Sequence, residues 1–127
     1  MTEDWLFAIK VGNLEYLRNA HRPRDSELPM MSISAAFEHR QHDVLDYICG
    51  PPLNWSFKHA TYLEHLHAVL QLLWEENDVV GMKKALSMKG LDLLDTFGGA
   101  KKQFSYWINN TTNQHMKDAL RNSIFFK

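Results

Sequence analysis

Ala8-Ile9-Lys10-Val11-Gly12-Asn13-Leu14-Glu15-Tyr16-Leu17 is the stretch whose reading decides the fold. Upstream, Trp5, Ala8 and Ile9 recur at helical spacing and share one face; Leu17 and Ala20 share one face of a second segment. Between them stands Gly12-Asn13, a pair that breaks a helix and turns the chain. This is the pattern of a helical hairpin with a loop of a few residues. Neither helix can bury its stripe alone, so the hairpin needs a neighbour of the same kind.

Working outward, three more polar turns separate pairs of apolar segments: Arg40-Gln41-His42, Glu76-Asn77-Asp78 and Asn110-Thr111-Thr112. With Gly12, Arg40, Asn77 and Thr111 as anchors, the spacings are 28, 37 and 34 residues, around the 33–34-residue period of helical-hairpin repeats. Six columns are apolar in all four copies. Seven before the anchor stand Trp5, Ile33, Leu70 and Phe104; five before stand Phe7, Ala35, Leu72 and Tyr106. The next two columns hold Ala8, Ala36, Leu73 and Trp107, then Ile9, Phe37, Trp74 and Ile108. After the anchors come Leu17, Leu45, Met82 and Met116, then Ala20, Ile48, Ala85 and Ala119. Successive hairpins of this kind stack and share one core.

The run from Ala8 to Leu17 resembles the end of the first helix, the Gly-Asn-Leu-Glu turn and the second helix of ankyrin repeats. Ala35 to Ile48 is similar, with Arg40 in place of the turn glycine, and Asn77 to Leu86 is a weaker copy. The Thr-Pro-Leu-His that opens the family's first helix is absent from every copy, and the turn glycine stands only at Gly12. The resemblance implies an all-α fold of about four ankyrin-like stacked helical hairpins, a short solenoid forming a single domain over 1–127. It also implies a non-catalytic role in binding another protein.

Composition agrees with a globular chain. It has 127 residues, 45% of them apolar, enough to bury a core without staples. Fourteen Lys and Arg against fifteen Asp and Glu exert no overall pull on nucleic acid or anionic lipid. The acidic start, Thr2-Glu3-Asp4, is unlike a signal peptide, and Leu63 to Trp74 is too short and too polar to span a bilayer. With Cys49 the sole cysteine, a cytoplasmic location is expected. Turn residues punctuate the segments between hairpins: Pro23 and Pro29, Gly50-Pro51-Pro52, and Gly98-Gly99. The apolar tail Ile124-Phe125-Phe126 is expected to fold back over the last hairpin.

Catalytic patterns are missing. His65 and His67 lie two apart on a helix and cannot share an ion, while His39 and His42 straddle a turn with no carboxylate or thiolate completing a set. There is no nucleophile elbow and no phosphate loop. The expectation is therefore no enzyme, no metal, no cofactor and no small-molecule substrate. Arg22, Arg24, Trp55, Phe57, His59 and Phe97, in the inter-hairpin segments, are the candidate contacts for a partner protein, because aromatic and arginine side chains dominate interface hot spots. Trp55 and Phe57 have a second reading, as plugs between hairpins. Such a small chain suits an adaptor or an inhibitor that blocks its partner, as a viral or phage host-targeting factor does. The alternatives are a nucleic-acid regulator using basic groups at 18–24 and 83–102, and third a metal-dependent hydrolase built on His39 and His42.

Overall fold

The computed structural model describes residues 2–60, 62–95 and 99–126. Among them are eight α-helices, three short 3-10 helices and no strand. The all-helical expectation is met. The helices group into two compact units, residues 1–61 and 62–127.

The first unit contains α1 (Thr2–Val11), α2 (Leu14–Asn19), α3 (Leu28–Glu38) and α4 (His42–Cys49), followed by a 3-10 turn at Phe57–His59. The second contains α5 (Leu63–Glu75), α6 (Val79–Leu86), α7 (Ala100–Asn109) and α8 (Gln114–Arg121), with 3-10 turns at Leu91–Asp95 and Ile124–Phe126. Helices pair as hairpins: α1 on α2, α3 on α4, α5 on α6 and α7 on α8.

Three of the four hairpin turns are the same device. Gly12, Arg40 and Asn77 have φ of 75°, 53° and 54°, the left-handed region. The following N–H reaches back over the helix end: Asn13 to the Ala8 carbonyl (2.8 Å), Gln41 to Ala36 (2.8 Å) and Asp78 to Leu73 (3.0 Å). Beside it, Gly12, Arg40 and Asn77 donate to Ile9, Phe37 and Trp74, each at 3.2 Å. This double closure is the Schellman motif, which satisfies carbonyls that a helix end leaves orphaned. Asn13 and Asp78 then cap the next helix, their Oδ1 atoms accepting from Tyr16 N–H (3.1 Å) and Gly81 N–H (3.0 Å). The fourth turn departs: the helix ends at Asn110 with φ −113°, Thr111 has no left-handed backbone, and the cap of α8 is Asn113. Threonine is β-branched and ill suited to positive φ.

An alanine Cβ at Gly12 would stand 2.6 Å from the Gln41 Oε1 atom in addition to straining the backbone. Gly12→Ala is expected to lose about 1–2 kcal/mol in urea unfolding; an unchanged midpoint would contradict the left-handed turn.

Most repeat columns are core. Trp5, Ile33, Leu70 and Phe104 are buried, as are Ala8, Ala36, Leu73 and Trp107, and Leu17, Leu45, Met82 and Met116. Trp74 and Ala20 are half-buried. The column five before the anchor is different: Ala35 is buried, Leu72 is half-buried, and Phe7 and Tyr106 are 66% and 57% exposed. Its offset points away from the faces that the other columns share.

The two units join their hairpins differently. In the first, α1 lies against α3, where Ala8, Ser32 and Ala36 allow close approach. In the second, α6 lies against α8, and each carries a small buried residue, Ala85 and Ala119. There the first helices carry large rings instead: Trp74 stacks on Trp107 at 6.0 Å between centroids, and Phe104 lies 5.4 Å from Trp107. Each unit also has a polar tie between its hairpins. Gln41 Nε2 donates to the Lys10 carbonyl at 2.8 Å, and Trp74 Nε1 donates to the Trp107 carbonyl at 3.1 Å. The tail folds back as expected, Phe125 meeting Phe104 edge to face at 5.1 Å.

Candidate functional site

The segment between α2 and α3 is neither helix nor strand over residues 21–25. Its direction follows from Pro23, which fixes its own φ and holds Arg22 out of helical conformation. Pro23 is buried, whereas Arg22 and Arg24 on either side are exposed. Two cationic side chains thus stand out over a proline turned inward. Neither guanidinium makes a hydrogen bond or ion pair among the described residues.

These residues form one wall of an open groove of about 570 Å³. Pro52 and Leu53, from the segment after α4, line it as well, together with Leu28, Pro29 and the edge of Trp55. The lining also includes one carboxylate, Asp25, whose Oδ1 accepts the Glu27 N–H at 2.9 Å at the entry to α3. The groove lies wholly within the first unit. Its volume is within the range of about 300–1,000 Å³ typical of ligand sites.

Three of the six candidate contacts, Arg22, Arg24 and Trp55, therefore line one groove. Trp55 contributes only an edge, being 6% exposed with its ring 6.1 Å from that of Trp5. Phe57 is wholly buried and stacks on Phe37 at 6.2 Å. It has no surface to offer a partner, and the packing reading of these two aromatics is the one their burial supports. Trp5 of α1 and Phe37 of α3 meet these two rings from within the core. His59 is exposed and does not line the groove. Its Nδ1 accepts the Ser56 N–H at 3.2 Å, closing a capping box on the 3-10 turn. Phe97 lies outside the described residues.

Pro52, Leu53, Leu28 and Pro29 were not singled out as site residues by sequence. Gly50-Pro51-Pro52 was legible as a turn, but its approach to residues 22–24 is a tertiary contact with no local signal.

The basic groups do not behave as uniform anion surfaces. The Arg18 guanidinium lies over the Tyr47 ring at 5.6 Å, and the Lys101 ammonium over Phe126 at 5.8 Å. Lys83 and Lys89 line a groove of about 550 Å³ in the second unit, together with Asp92, Leu91 and the half-exposed Ile124. His39 caps the end of α3 and His42 opens α4. Among the described residues no three His, Cys, Asp or Glu side chains are grouped to hold a metal ion. Nor is any helix among them long and apolar enough to cross a membrane.

Set beside known proteins, the chain matches no family model, no curated protein and no solved structure.

Proposed function

We propose that this chain is a non-catalytic protein–protein interaction module, an adaptor or inhibitor built of ankyrin-like helical hairpins, and that its first unit binds through the groove between residues 22–24 and 52–53. One observation carries the reading: two guanidiniums without hydrogen-bonding or ionic partners among the described residues share a groove with Pro29, Pro52 and Leu53. Arginine beside apolar residues is the composition of interface hot spots, where bidentate recognition is combined with water exclusion. The repeated turn at Gly12, Arg40 and Asn77 supports the hairpin-repeat part of the reading. A rigid helical scaffold that presents its inter-hairpin segments is how repeat proteins generate binding surfaces.

The test is affinity capture by the tagged chain beside an Arg22→Glu/Arg24→Glu variant, with and without nuclease. One protein recovered in stoichiometric amount, resistant to nuclease and lost with the variant, is expected. Recovery that depends on nucleic acid, or that the variant retains in full, would overturn the reading. Both arginines are exposed, so the variant's unfolding free energy is expected to stay within about 0.5 kcal/mol of the parent.

A further inference from the structure

The groove has chemistry specific enough to say what kind of partner segment it takes. Arg22 and Arg24 are two residues apart in an irregular segment where Pro23 holds the preceding residue extended. Residues two apart in an extended chain are about 6.6–7 Å apart. An extended peptide presents its own side chains at positions i and i+2 with the same repeat and on the same side. Carboxylates two apart on an extended ligand can therefore reach the two guanidiniums together. The face of a helix differs, since its neighbouring side chains lie three and four positions apart.

Charge selects the ligand further. Two arginines face one carboxylate, Asp25, and that carboxylate already accepts a backbone N–H. Pro23, Pro29 and Pro52 line the groove and none has an N–H to donate. Recognition by backbone pairing is thereby limited, and the strong donors are the two guanidinium forks, shaped for carboxylates. Pro52 and Leu53 offer apolar surface beside them, whereas Leu28 and Trp55, 1% and 6% exposed, offer almost none. A nucleic-acid strand would call for a longer track of cations than this pair.

We infer that the groove binds an extended acidic segment of a partner protein, with carboxylates at alternating positions on Arg22 and Arg24 and an adjoining apolar side chain against Pro52 and Leu53. This rests on the interaction-module reading above and adds the chemistry of the partner. The prolines hold the site in shape before binding, which lowers the ordering cost of capturing a flexible segment.

The experiment pans the full chain against a phage-displayed library of random twelve-residue peptides, then titrates an enriched peptide by fluorescence anisotropy. The expected peptides contain Asp or Glu two apart with an aliphatic or aromatic residue beside them. Arg22→Glu/Arg24→Glu is expected to weaken such a peptide at least tenfold, and a peptide with Lys at the two acidic positions is expected to recover binding to that variant. Circular dichroism of each variant shows that it is folded. Enrichment of peptides without acids, or of peptides that bind the variant equally well, would overturn the inference. So would competition by a single-stranded oligonucleotide as effective as by the unlabelled peptide, and so would the absence of any enriched sequence. A separate Leu53→Asp variant separates the two readings: peptides lost with it but indifferent to the arginine reversal leave a binding groove in place and refute its acidic specificity. Indifference to both variants removes the groove from the interaction as well.

Discussion

Trp107→Ala is expected to remove about 3–5 kcal/mol from the unfolding free energy of the second unit. Trp107 is 2% exposed and lies at the centre of its ring cluster, with Trp74 stacked at 6.0 Å, Phe104 at 5.4 Å and His67 at 5.8 Å. Truncation leaves a cavity between α5 and α7 that rings on three sides cannot readily fill. The Trp74 indole N–H still has its partner, because that bond goes to the backbone carbonyl of residue 107. The loss is therefore one of packing, with no stranded donor added. Natural domains are stable by about 0.05–0.15 kcal/mol per residue, so a unit of this length has about 3–10 kcal/mol. The variant should lose most of its cooperative unfolding transition in urea and its near-ultraviolet circular dichroism. A shift under about 1 kcal/mol would mean that the ring cluster is not a core.

Phe57→Ala is expected to cost a similar amount, about 3–5 kcal/mol, in the first unit. Its ring is wholly buried against Phe37, where the 3-10 turn after α4 packs on α3. The consequence for function is a separation of effects. Arg22→Glu/Arg24→Glu should change binding with little change in stability, whereas Phe57→Ala should change stability first. Measured below its own unfolding transition, Phe57→Ala should bind partner peptide within about threefold of the parent, since the ring lies outside the groove lining. A selective loss of binding with an unchanged melting curve would return Phe57 to the role of contact residue.

How much of this was legible in the sequence can be judged residue by residue. The hairpins were legible because helix periodicity and turn chemistry are local. Trp5, Ala8 and Ile9 share a face whatever surrounds them, and Gly12 marks a left-handed turn because any side chain there is strained. Arg40 and Asn77 were found by position within the repeat, and their backbone adopts the same conformation. Thr111 failed as an anchor: the core spacing from Phe104 to Met116 is kept, but a different turn spans it, ending at the Asn113 cap. Phe7 and Tyr106 were apolar in the right column and yet are exposed, because hydrophobicity records a residue's type and not the direction of its neighbours.

The candidate site divides along the same line. Sequence alone determined an all-helical chain of hairpins, with Arg22 and Arg24 in a segment between them punctuated by proline, since these follow from i to i+4 relations and from the proline ring. Only the tertiary structure decided which aromatics were core and which residues shared a groove. Trp55 and Phe57 are core because their rings meet Trp5 of α1 and Phe37 of α3, residues distant in sequence. Pro52 and Leu53 share a groove with Arg22 and Arg24 although they lie far apart in the chain, where neighbours are settled by the packing of whole helices and not by any local pattern.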